Sequence, residues 1–133
     1  METAPEEDVM GQQQTLVVCG HGPTVKGIDV SYWQGTINWS AVAGDGVRFA
    51  IVRISDGSYR DTQFAANWNG ARAAGLIRGA YQFFEPGQDP IAQADMVVAA
   101  VGRLGPGDMP VTIDVEAPSP GISASAYASR IHQ

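Results

Sequence analysis

The 133-residue chain has few of the residues from which several common sites are built. Cys19 is its only cysteine, so no internal disulfide can close and no thiolate cage can hold a metal. The two histidines, His21 and His132, stand near opposite ends of the sequence, which leaves a histidine-rich metal site without its ligands. Neither a metal nor a cofactor is expected. Cations are scarce too: 8 Lys and Arg stand against 14 Asp and Glu, a formal net charge of -6. Nucleic-acid binding depends on clustered Lys and Arg facing phosphates, so nucleic acid is not an expected partner. No apolar run approaches the roughly 20 residues that cross a bilayer. The opening METAPEEDVMGQQQ lacks the apolar stretch of a secretory signal, and LVVCG at 16–20 has only the outline of a lipid-attachment site at Cys19. Residues 1–25, polar and aperiodic up to about residue 22, are expected to form a flexible leader.

What the chain does have is a pair of acids on an apolar strand. In PVTIDVE, Pro110 to Glu116, Val111, Ile113 and Val115 fall on one face, and Thr112, Asp114 and Glu116 on the other. Alternate residues of a strand are roughly 6.5 to 7 Å apart at Cα, the scale on which glycosidases space their two acids. GIDVS, residues 27–31, repeats the pattern and places Asp29 on the polar face of a first strand. Asp29 either joins the same site or bonds backbone in a turn.

Between these strands the periods alternate. Asn38 is a candidate N-cap for a short helix through Val42, and VRFAIVRIS at 47–55 is an almost continuous apolar run of the kind that suits a parallel strand covered on both faces. After a DGSY turn, Asp61 is expected to cap a helix reaching Ala74, with Phe64, Trp68 and Ala71 on one stripe and Gly75 after its end. LIRGAYQFF at 76–84 is a third strand; Asp89 and Pro90 open a helix that Gly102 closes. Ser123 starts a last helix that runs to the end of the sequence without a terminator. Strands alternating with helices make βαβ units, so the fold class is α/β, either an open doubly wound sheet or a (β/α) barrel. Acids at the carboxyl ends of the first and last strands favour the barrel. Four strands do not close one, so the expectation is a partial barrel of about the first four β/α units, occupying residues 26–133.

Aromatic residues follow the same geography. Tyr32 and Trp33 come directly after the first strand, where they either line a groove for sugar rings or pack in the core; Trp39 and Trp68, at helical positions, are expected in the core. Tyr81 and Gln82 point to opposite faces of the third strand, and Tyr81 is the expected groove residue if Gln82 packs beneath a loop. Arg53 is either a partner for the acids or one half of an ordinary rim salt bridge.

GIDVSYWQGTINW, FAIVRISDGSYRDTQF, NGARAAGLIRGAYQFF and PVTIDVE, in that order and with fitting gaps, resemble the glycoside hydrolase family 25 lysozymes, or muramidases. The resemblance runs from about Lys26 to the end. It implies an irregular (β/α) barrel that cleaves the β-1,4 bond between N-acetylmuramic acid and N-acetylglucosamine, with peptidoglycan glycan strands as partner and an extracellular or cell-envelope location. By position it implies Glu116 as general acid/base, Asp114 as partner carboxylate and Asp29 as a supporting acid, with Asp114 stabilising an oxocarbenium-like centre or orienting the 2-acetamido group for neighbouring-group attack. Crowding by Asp114 and Asp29 would favour the protonated form that an acid catalyst needs. The family domain continues beyond the last residue here, and Gln82 stands where many relatives carry His. A catalytically inactive peptidoglycan-binding remnant and a gene fragment are the alternative readings.

Overall fold

The computed structural model describes residues 21–133. Lys26–Val30 (β1), Val47–Asp56 (β2), Ile77–Phe83 (β4) and Thr112–Asp114 (β5) form a parallel sheet in the order β1-β2-β4-β5, and a two-residue strand, Tyr59–Arg60 (β3), folds back antiparallel onto the end of β2. Helices Trp39–Gly44 (α1), Phe64–Ala73 (α2) and Pro90–Val101 (α3) connect the parallel strands, and Ala124–Ile131 (α4) follows β5. The strand order never reverses. With right-handed crossovers, an unreversed order puts every connecting helix on the same side, whereas a doubly wound sheet needs a reversal to cover its other side. The fold is therefore a partial (β/α) barrel and not a doubly wound sheet.

Strand alternation divides the residues between the two sides of that wall. Val30 of β1, Ala50, Val52 and Ile54 of β2 and Ala80 of β4 are buried together with Trp39, Phe64, Trp68 and Ala71 from the helices. The opposite register, Asp29, Ile51, Arg53, Tyr81 and Asp114, lines an open cleft. β2 is thus covered by helices on one face only, contrary to the expectation from its apolar run. The helix stripe Phe64, Trp68 and Ala71 is buried as its spacing predicts, and α2 stops in a Schellman turn, where the N–H of Leu76 bonds to Ala71 O and that of Gly75 to Arg72 O. Gly75 supplies the positive φ of 79° that this turn requires. Asn38, Asp89 and Ser123 cap α1, α3 and α4 through their side chains, and Pro90 sits in the first turn of α3.

Two further expectations need correction. The strand anticipated over 110–116 is confined to Thr112–Asp114, because among the described residues β5 has one neighbour, β4, and no ladder holds its flanks. The expected DGSY turn is present, as the tip of a β2–β3 hairpin. Asp61 is not the N-cap of α2: Gln63 holds that position without a side-chain bond, and the Asp61 carboxylate accepts the Gln63 N–H with Oδ1 and Arg53 with Oδ2. Cys19 and most of the expected leader lie outside the described residues; residues 21–25 form neither helix nor strand.

Candidate active site

The carboxyl ends of the four parallel strands open into one cleft of about 730 Å³. Asp29, one residue before the end of β1, is opposite Ile51; Asp114, the last residue of β5, is opposite Phe83. Three interstrand steps of about 4.8 Å each separate β1 from β5 along the sheet, yet both carboxylates line the same cleft, together with Glu116. Glu116 is exposed and lies two residues beyond the strand, so coil and not ladder geometry sets its direction. The start of that coil is anchored by the Phe84 N–H, which donates to Asp114 O at 2.9 Å. None of the three acids enters a salt bridge among the described residues.

The aromatic residues divide. Trp33 is 74% exposed and forms part of the cleft wall. Tyr81 lines the floor; burial raises its phenol above the ordinary value, Arg53 opposes this, and the charges of Asp29, Asp114 and Asp61 reinforce it. It therefore remains a neutral hydroxyl able to donate a hydrogen bond. Gln82, on the other side of β4, is buried and donates to Gln93 Oε1 of α3 at 3.3 Å. Tyr32 stands beside the cleft rather than on its wall. Its ring lies 4.6 Å from that of Trp33 and 6.1 Å from that of Tyr59, with the Arg53 guanidinium 5.1 Å away over its face. The physical reason is the 3-10 turn over Tyr32–Gln34, which turns successive side chains in different directions.

Arg53 partners neither Asp29 nor Asp114. Its Nε donates to Asp61 Oδ2 at 3.0 Å, and Nη1 lies 3.7 Å from Asp56. Asp61 also accepts from the backbone N–H of Tyr32 at 3.0 Å and of Gln63 at 2.9 Å.

Residues 28–133 match the family Glycosyl hydrolases family 25. The chain belongs to that family. It is 39% identical over 116 residues to Lysozyme M1 of Streptomyces globisporus, covering 84% of this chain and 37% of that protein. With the N,O-diacetylmuramidase of Chalaropsis it shares 38% identity over 84 residues, 59% of this chain and 40% of the relative. The solved bacterial lysozyme of Streptomyces coelicolor overlays with a TM-score of 0.75 at 38% identity, over 84% of this chain and 56% of that one. This family 25 chain therefore spans well under half of those two curated relatives and little more than half of the solved lysozyme.

Two features of the family 25 cleft escape a reading of the sequence by strands and helices. The Ser31 hydroxyl accepts from the Trp33 N–H, while Gln34 Oε1 accepts from the Ser31 N–H at 2.7 Å, a capping box closing the turn that carries Trp33. The run SYWQ holds the Ser-x-x-Gln signature by which it can be found. Asp61 as the meeting point of β1, β2 and α2 has no such local signature, since its bond to Tyr32 spans 29 residues.

Proposed function

We propose that residues 26–133 carry the catalytic face of a peptidoglycan N-acetylmuramidase, following a leader over residues 1–25. The observation that supports this reading most is the convergence of Asp29, Asp114 and Glu116, from opposite edges of the sheet, in one cleft walled by an exposed tryptophan. The relatives named lysozyme and N,O-diacetylmuramidase support it as well. In this reading the glycan lies along the cleft with a sugar ring on Trp33. Glu116 gives its proton to the glycosidic oxygen between N-acetylmuramic acid and N-acetylglucosamine as that bond breaks. Asp114 faces the carbon that becomes electron-deficient, where a carboxylate either stabilises the oxocarbenium-like centre or holds the 2-acetamido group for internal attack. Glu116 then takes a proton from the water that completes hydrolysis. Asp29 adds negative charge from β1, and the Tyr81 hydroxyl is placed to donate to a substrate oxygen. Action on the cell wall goes with an extracellular or cell-envelope location.

The test is release of new reducing ends from purified peptidoglycan by this chain and by Glu116→Gln. The parent releases muramic-acid ends, and the variant loses about 100-fold or more, the usual worth of a general acid. Absence of release from both would overturn the catalytic reading for this chain, and binding to the insoluble wall without release would identify it as a binding remnant.

A further inference from the structure

Arg53 is 6% exposed and Asp61 3%, and neither contributes an acid to the proposed chemistry. A buried ion pair is costly to desolvate and is a poor device for stability alone. This one is also incompletely satisfied, because the Arg53 Nη2 donor is buried without a partner among the described residues. What the pair does make is a clamp. Asp61 takes the Tyr32 backbone N–H at 3.0 Å while the Arg53 guanidinium lies over the Tyr32 ring. Backbone and side chain of one residue are thus held by the two members of one ion pair. The next residue is Trp33, whose ring rests against Tyr32 at 4.6 Å and is otherwise largely exposed. An exposed indole on a three-residue turn has little else to fix its plane. The capping box closes the turn on itself but does not tie it to the sheet.

We propose that Arg53 and Asp61 are positioning residues that act through Tyr32 to hold Trp33 as a rigid platform for one sugar ring of the glycan. This rests on the muramidase reading, since it assigns the platform a sugar. In this proposal the pair serves binding and not bond cleavage: the Arg53 guanidinium engages Asp56 and Asp61, and among the described residues Asp29 and Asp114 have no salt-bridge partner.

The experiment compares wild type with Arg53→Met, Arg53→Lys, Asp61→Asn, Trp33→Ala and the combination of Arg53→Met with Trp33→Ala, on a soluble oligosaccharide of alternating N-acetylglucosamine and N-acetylmuramic acid. Arg53→Met should raise KM about tenfold, the worth of one aromatic contact, while kcat stays within about threefold. Arg53→Lys should recover much of the loss. The combined variant should be no worse than Trp33→Ala alone, because residues that act as a unit are not additive. Additive losses, or a fall in kcat at constant KM, would overturn the proposal. Asp61→Asn, which keeps the side-chain shape, carries the same test if Arg53→Met does not fold. Should wild type neither bind nor cleave the oligosaccharide, the muramidase reading fails, and the clamp is decided by NMR on the same proteins. Faster exchange of the Tyr32 amide and a shifted Trp33 indole signal in the Arg53 and Asp61 variants uphold it; unchanged signals overturn it.

Discussion

Two buried arginine–aspartate pairs lie at opposite ends of the same sheet, and they are built differently. Arg78, near the start of β4, bonds Asp108 through Nε at 2.6 Å and Nη2 at 3.2 Å, gives Nη1 to Trp68 O at 3.0 Å, and lies 3.8 Å over the Trp68 ring. Each terminal nitrogen of that guanidinium has a partner, and the Asp108 side chain is 2% exposed. Arg53, near the end of β2, makes one hydrogen bond to Asp61, a longer ion contact to Asp56, and has no partner for Nη2 among the described residues. Barrels of this type separate their duties by end, with stability concentrated where strands begin and chemistry where they finish. The lower pair closes β4, α2 and the loop before β5 into one unit. The upper pair borders the cleft and tolerates an unsatisfied donor.

The largest expected effect tests that separation directly. Replacing Arg78 by Met leaves Asp108 buried with a single backbone donor, the Gly105 N–H, and should cost about 3–5 kcal/mol of unfolding free energy. Replacing Arg53 by Met leaves Asp61 with two backbone donors, from Tyr32 and Gln63, and removes a guanidinium that was never fully paired. Its cost should be nearer 1–2 kcal/mol. Urea unfolding of the two variants beside wild type measures both. Equal losses would mean that the ends are not specialised as their hydrogen bonds suggest.

The same contrast explains what the amino-acid pattern disclosed and what it did not. Local rules placed α2 from the spacing of Phe64, Trp68 and Ala71, and α3 from Asp89, Pro90 and Gly102, because caps and apolar stripes are written within a few residues. The alternation of strands and helices, read with crossover handedness, leaves an open sheet or a barrel, and the acids at the strand ends favour the barrel. The polar side of each strand named Asp29, Tyr81 and Asp114 as candidates, and these residues do share a cleft. A rim salt bridge is one of the two roles the sequence offers Arg53, but its partner Asp61 and the whole Arg78–Asp108 pair stay hidden. Arg78 and Asp108 are 30 residues apart and Asp61 meets Tyr32 across 29, distances over which a lone sequence carries no pairing signal, whereas Arg53 and Asp61 are 8 apart but on either side of a hairpin. Asp61 in particular reads as a helix cap, since an aspartate just before an apolar stripe looks the same whether or not one of its oxygens is also taken by an arginine. β5 is shorter than its sequence suggests for a related reason: β-branched residues favour a strand, but pairing with β4 decides how far the ladder runs.

A smaller effect separates the two ends by pH. The hydrogen bond from Arg78 holds the Asp108 carboxyl down to about 2, against an ordinary value of 3.8, with the Gly105 N–H assisting and burial opposing. Because the folded value is the lower one, the stabilisation is complete above about pH 4 and is lost as pH falls through 2. Unfolding free energies of wild type and Asp108→Asn should therefore differ most near neutrality and converge towards pH 2. A difference that persists unchanged into acid would show that the ionised carboxylate is not what the lower pair depends on.

The smallest effect has the opposite sign and comes from the upper end. Glu85, just beyond β4, has its carboxyl raised above the ordinary 4.5, first by burial and then by the charge of Asp56 and a hydrogen bond with it. For an acid whose folded value is the higher one, the favourable contribution is complete below the unfolded value and is lost as pH rises through the folded one. At neutral pH this rim then holds two carboxylates against one another, beside an Arg53 already engaged with Asp61. Glu85→Gln should accordingly stabilise the protein at pH 7 by roughly a few tenths of a kcal/mol and leave it unchanged near pH 4. Thermal melts at the two pH values decide it. A gain at both would point to altered packing, whereas a gain confined to neutral pH shows that the rim around the cleft keeps negative charge at a small cost in stability, while the far end of the sheet uses its own charges to stay folded.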